Sequence, residues 1–126
     1  MRAENEVRIL FLHNMPKTYL KNFLPTTKTY DSCYKVYGII LKSQNESFIK
    51  VGATENIKTR IQYFVKFGYK VDIIFIHYFK NIQTQLLFEK LFHRYLSVFK
   101  YTPLIIFDGK TECFNINSLS LIKEIL

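Results

Sequence analysis

The sequence has few cysteines, and those it has are unclustered. Cys33 and Cys113 stand 80 positions apart, with no CxxC or CxxxH grouping around either. That pattern excludes a disulfide framework and argues against a thiolate zinc site. It suits a reducing compartment, although one bridge between the two stays open at this level. Long apolar runs are also missing: none approaches the ~20 residues that a membrane-spanning helix needs. The first residues, Met1-Arg2-Ala3-Glu4-Asn5-Glu6, are too polar and acidic to read as a signal peptide, so a soluble intracellular protein is expected. Acidic residues are outnumbered, 10 against 18 Lys and Arg, for a formal net charge of +8. A surplus of that size favours a polyanionic partner, nucleic acid before a membrane surface.

The chain has 126 residues, 48% hydrophobic and 17% aromatic, enough to build one core without a second domain. No internal repeat or linker divides it. Residues 1–31 read as a helical arm. Val7, Leu10 and Phe11 fall at helical spacing, Pro16 opens a second short helix, and Pro25 with the threonines after it ends that stretch. Residues 32–126 read as the main domain.

That domain begins with a hairpin. Val36-Tyr37-Gly38-Ile39-Ile40 and Phe48-Ile49-Lys50-Val51-Gly52 flank the turn-forming Ser43-Gln44-Asn45-Glu46. A loop centred on Gln44-Asn45 pairs Leu41 with Phe48, Ile39 with Lys50 and Tyr37 with Gly52. Directly opposed residues share a face, so Tyr37 and Lys50 become diagonal neighbours with Gly52 leaving room over the phenol. A slip by one residue would put Lys50 on the apolar face, and that penalty selects the register. Thr54 is placed to cap a helix from Glu55 to about Phe67, with Ile57, Ile61, Phe64 and Val65 inward and Gly68 as its stop. Tyr69–Phe79 reads as a third, mostly buried strand. Asn81 begins a long helix reaching about Phe99, with Leu87, Phe88, Leu91 and Phe92 in the core. Gln85, Glu89 and His93 form one polar line along it, four residues apart. Short extended pieces around Thr111–Phe114 and a final helix from Leu119, capped by Asn117 or Ser118, complete an α/β (α+β) domain. Its expected centre is a three-stranded antiparallel sheet flanked by helices.

The order strand, turn, strand, helix carries a family likeness. With Lys35-Val36-Tyr37, Lys50-Val51-Gly52-x-Thr54, Arg60, Glu89-x-x-x-His93 and Thr111-Glu112-x-Phe114, the stretch from about Tyr34 to Asn117 resembles the GIY-YIG endonuclease superfamily. Within it, the chain is similar to the phage and viral branch, in which lysine replaces the second signature tyrosine. The resemblance implies metal-dependent hydrolysis of a DNA phosphodiester. In that scheme Tyr37 serves as general base or orients the attacking water, with Lys50 beside it, and Arg60 with Lys50 neutralises phosphate. Glu89 holds one Mg²⁺ or Mn²⁺ ion, and no second carboxylate stands at ligand-like spacing in the sequence. His93 orients Glu89 or contacts phosphate, and Gly52, Thr54 and Glu112 support the site. DNA is the expected partner, with RNA the alternative polyanion. The competing functions are a non-catalytic nucleic-acid-binding module on the same fold and a protein-interaction domain whose basic face is incidental.

Overall fold

The computed structural model describes residues 34–109 and 112–126; the expected N-terminal arm, Cys33 and Thr111 lie outside them. Strands β1 (Tyr34–Lys42) and β2 (Ser47–Thr54) form the hairpin, followed by helix α1 (Ile57–Lys66) and strand β3 (Lys70–Phe79). Helix α2 (Ile82–Tyr95), a 3₁₀ turn at Ser97–Phe99, strand β4 (Cys113–Asn115), a second 3₁₀ turn and helix α3 (Leu119–Ile125) complete the chain. No helix among the described residues is long and apolar enough to cross a membrane.

The hairpin register is the one the apolar pattern requires: Leu41 faces Phe48, Ile39 faces Lys50 and Tyr37 faces Gly52. The sheet has four antiparallel strands rather than three, in the order β3-β1-β2-β4. The added strand, Cys113-Phe114-Asn115, is too short to show a two-residue period in sequence. It exists because Phe48, Ile49 and Lys50 offer it an edge to pair with. β3 is the opposite edge strand, which corrects the expectation that it is mostly buried. Phe75 and Phe79 are buried, whereas Ile73 is 53% exposed.

Period-two alternation sorts the side chains into two cores, one on each face of the sheet. Val36, Ile49, Val51 and Phe114 pack on Phe88, Phe92, Tyr95 and Leu96 of α2 and its neighbourhood, together with Ile122 and Ile125 of α3. Tyr37, Ile39, Leu41, Phe48 and Cys113 pack instead on Phe64 of α1 and on Tyr69 and Phe107. Several helix limits differ from expectation. Asn56, not Thr54, caps α1: its side chain accepts from Thr59 N at 3.0 Å. Thr54 Oγ1 accepts from Asn56 N at 3.1 Å and shapes the turn into the helix instead. Val65 and Leu87 face solvent, because the inward stripe of each helix is narrower than its count of apolar residues. α2 ends at Tyr95, before Phe99. Ser118 sits at the start of α3 but makes no capping bond. Gly68 stops α1 as anticipated, with φ +90, a conformation glycine adopts without penalty.

Glu46, legible in sequence only as a turn residue, ties the hairpin to the loop that follows α2. Its carboxylate accepts from Tyr69 Oη at 2.6 Å, Tyr101 Oη at 2.7 Å and Leu104 N at 3.0 Å. Burial alone would raise its pKa, but these bonds outweigh that effect and hold it below the ordinary value. A depressed carboxylate contributes stability above its unfolded pKa, and loses it as pH falls through the folded value. Glu46→Ala is therefore expected to cost about 2–3 kcal/mol at pH 7, since the buried Tyr69 hydroxyl and other donors lose a charged acceptor. Urea denaturation should show the gap between variant and parent closing as the pH is lowered through the acid range.

Candidate active site

The site lies where the outer edge of β2 runs free. β4 pairs with β2 only as far as Lys50, which faces Cys113. Beyond that point α2 supplies the missing partners through its polar line. Gln85 Nε2 donates to Thr54 O at 3.4 Å and also reaches Lys35 O of β1 at 2.9 Å, His93 Nε2 donates to Val51 O at 2.8 Å, and Glu89 accepts from the Ala53 amide. A carbonyl can only accept, so His93 carries its proton on Nε2 and its lone pair on Nδ1. The three polar residues of α2 thus do structural work and line up Glu89 at the same time.

The same short strand brings in Glu112. It immediately precedes Cys113, the partner of Lys50, so its carboxylate meets the Lys50 ammonium at 2.6 Å. That corrects the sequence expectation twice. Lys50 is 2% exposed and bound to Glu112 rather than to Tyr37. A second carboxylate does approach Glu89, although 23 positions separate them: ligand atoms of Glu89, His93 and Glu112 all lie within 4.8 Å of one another.

These groups open onto a cavity of about 300 Å³, walled by Tyr37, Lys50, Gly52, Arg60, Glu89 and Glu112, with Leu86 and the Asp108-Gly109 turn at its margin. His93 and Thr54 stand outside its lining, the one bonded to the Val51 carbonyl beside Glu89 and Glu112 and the other in the turn before α1. Asp108 is a site residue that sequence reasoning missed. Its only signal was an Asp-Gly pair, which reads as a turn. Tyr37 is 1% exposed, and its hydroxyl has no hydrogen-bond partner among the described residues. Gly52 permits this placement, because a Cβ there would stand 2.6 Å from the Tyr37 hydroxyl oxygen.

Burial dominates the electrostatics. It pushes the Tyr37 phenol well above its usual range, opposed by the Arg60 guanidinium and reinforced by Glu112 and Glu89. Arg60, not Lys50, is therefore the cation acting on this phenol. Burial first, and the Glu112 charge second, raise Glu89 to about 7, with Lys50 and the Ala53 amide pulling the other way. Burial also lowers the His93 pKa, against the raising effect of its bond to Val51, which favours the neutral ring. Cys113, pushed up to about 12 by burial, is an inert thiol at neutral pH.

Two carboxylates that repel each other, beside a neutral imidazole, form a donor set suited to a hard or borderline cation. The guanidinium across the cavity suits a phosphate oxygen. A family model described as the T5orf172 domain matches residues 35–126. No curated protein and no solved structure matches the chain.

Proposed function

This chain belongs to the T5orf172 domain family, and from that premise and the cavity we propose that it is a metal-dependent endonuclease of GIY-YIG type, hydrolysing phosphodiester bonds in DNA. One observation carries the proposal. A single cavity gathers Tyr37 of β1, Lys50 of β2, Arg60 of α1, Glu89 of α2 and Glu112 just before β4 around space for a phosphate.

In this reading Arg60 offers its planar fork to the non-bridging phosphate oxygens, where negative charge grows in the transition state. Tyr37 directs its hydroxyl at the attacking water. Burial keeps that phenol protonated at neutral pH, so of the two roles open to it, orienting the water is the one its surroundings favour. Glu89 is the residue to hold a divalent ion, Mg²⁺ or Mn²⁺, which when bound supplies positive charge to the phosphodiester and its leaving oxygen. Lys50, fixed by Glu112, adds a cation at the wall of the cavity. Gly52, lacking a Cβ, lets the Tyr37 ring pack against the β2 backbone, Thr54 sets the turn that delivers α1 and Arg60, and His93 braces the α2 side of the site.

Plasmid nicking in the presence of Mg²⁺ or Mn²⁺ tests this directly. The parent protein should convert supercoiled DNA to the nicked form, and Glu89→Ala and Tyr37→Phe should each lose that activity by at least about 100-fold. Equal cleavage by all three would sink the mechanism. Absence of cleavage by the parent, with salt-sensitive DNA binding intact, would leave a binding module on the same fold.

A further inference from the structure

The donor set around Glu89 is richer than a single metal-holding carboxylate. Glu112 and His93 bring their ligand atoms within 4.8 Å of it and of each other. The His93 ring is already arranged in the manner of a metal ligand. One nitrogen donates to a backbone carbonyl at 2.8 Å, which fixes the tautomer and leaves the other nitrogen with its lone pair. Tyr37, 1% exposed, lines the same cavity, and its hydroxyl has no hydrogen-bond partner among the described residues.

We propose that Glu89, Glu112 and His93 together form a three-ligand site for a divalent first-row transition-metal ion such as Mn²⁺, favoured over Mg²⁺ by the imidazole nitrogen, and that this ion competes with Lys50 for Glu112. The inference rests on the proposed function and deepens it by adding Glu112 from the cavity wall, His93 from just outside that wall, and a metal preference.

The preference follows from ligand chemistry. Mg²⁺ takes oxygen, keeps its waters and demands near-ideal octahedral geometry. Imidazole is a better ligand for first-row transition ions; Mn²⁺ stands at the weak, oxygen-preferring end of that series but accepts a nitrogen ligand more readily than Mg²⁺ does, and the later ions accept it more readily still. The competition follows from charge. Lys50 Nζ lies 2.6 Å from Glu112 Oε2, so a divalent ion on the same carboxylate would stand close to a buried ammonium and repel it. Metal binding therefore loosens Lys50 from Glu112 and leaves its charge for an anionic ligand in the cavity.

Isothermal titration of the full chain with Mn²⁺ alone and with Mg²⁺ alone, without nucleic acid, tests this separately from catalysis. The parent is expected to bind Mn²⁺ at least about 10-fold more tightly than Mg²⁺. His93→Gln should weaken Mn²⁺ binding by about 10-fold or more and leave Mg²⁺ nearly unchanged, whereas Glu112→Gln should weaken both. Lys50→Met should tighten Mn²⁺ binding, and a weakening would overturn the competition. Unchanged Mn²⁺ affinity in both His93→Gln and Glu112→Gln, with loss in Glu89→Gln, would reduce the site to one carboxylate and overturn the inference while leaving the nuclease proposal standing. Failure of the parent to bind Mn²⁺ would overturn it as well, and nicking activity would still decide the nuclease proposal by itself. Should a variant fail to fold, electron spin echo modulation of Mn²⁺ on the parent protein reads the nitrogen directly. Coupling to a coordinated ¹⁴N is expected, and its absence would overturn the assignment of His93.

Discussion

Glu89→Gln should abolish nicking, by about 1,000-fold or more, and at the same time stabilise the metal-free protein at pH 8. The two effects share one cause. Glu89 is partly buried beside Glu112, and its carboxyl titrates at about 7 rather than in the usual carboxylate range. A folded pKa raised above the unfolded one means that folding takes up a proton between the two values. The penalty for ionisation then grows as pH rises through that window and is complete above about 7. Because the group remains partly solvated, screening reduces the penalty to about 1–2 kcal/mol. Glutamine keeps an acceptor for the Ala53 amide and removes the charge. Thermal denaturation in chelator should place Glu89→Gln above the parent at pH 8 and level with it near pH 4. A variant less stable than the parent at pH 8 would show that the carboxylate is held by compensating contacts and is not a strained, functional charge. A site that sacrifices stability for chemistry is expected to behave in the first way.

Gly52→Ala should destabilise the fold by about 2–3 kcal/mol, opposite in sign to the ordinary preference for alanine over glycine inside a strand. The new Cβ would stand 2.6 Å from the Tyr37 hydroxyl oxygen and 2.8 Å from Cζ, well inside contact distance. Tyr37 has little room to retreat, since Ile39, Phe64 and Cys113 belong to the same buried cluster. Urea denaturation should show a lower midpoint with an unchanged slope. Tyr37→Phe in the Gly52→Ala background should recover part of the loss, because the hydroxyl is the nearest atom; no recovery would place the strain elsewhere. Under the proposed function the alanine variant also loses nicking, as the displaced phenol no longer presents its hydroxyl to the attacking water.

Much of this architecture was legible before any coordinates. The hairpin register could be read because a one-residue slip would exchange Tyr37 and Lys50 with Val36, Ile49 and Val51 across the sheet, at a large burial cost. The polar line Gln85, Glu89, His93 could be read because four-residue spacing in a helix puts side chains on one face. Gly68 announced the end of α1. Helix starts were less legible. Thr54 and Asn56 are both competent capping residues two positions apart, and only the backbone angles distinguish them.

The local chain determined what depends on short-range periodicity: the hairpin, the face carrying Tyr37 and Lys50, and the alignment of Glu89 with His93. Only the tertiary structure decided what the site contains. β4 is three residues long and has no pattern of its own; its pairing with Phe48, Ile49 and Lys50 sets Glu112 against an ammonium 62 positions earlier. Because β4 stops at Lys50, the rest of the β2 edge is left to α2, and Glu89 reaches the same cavity as Tyr37 from the other side of the sheet. The raised pKa values of Tyr37 and Glu89 follow from that enclosure. Burial is a sum over contacts distant in sequence, and no local spacing encodes it.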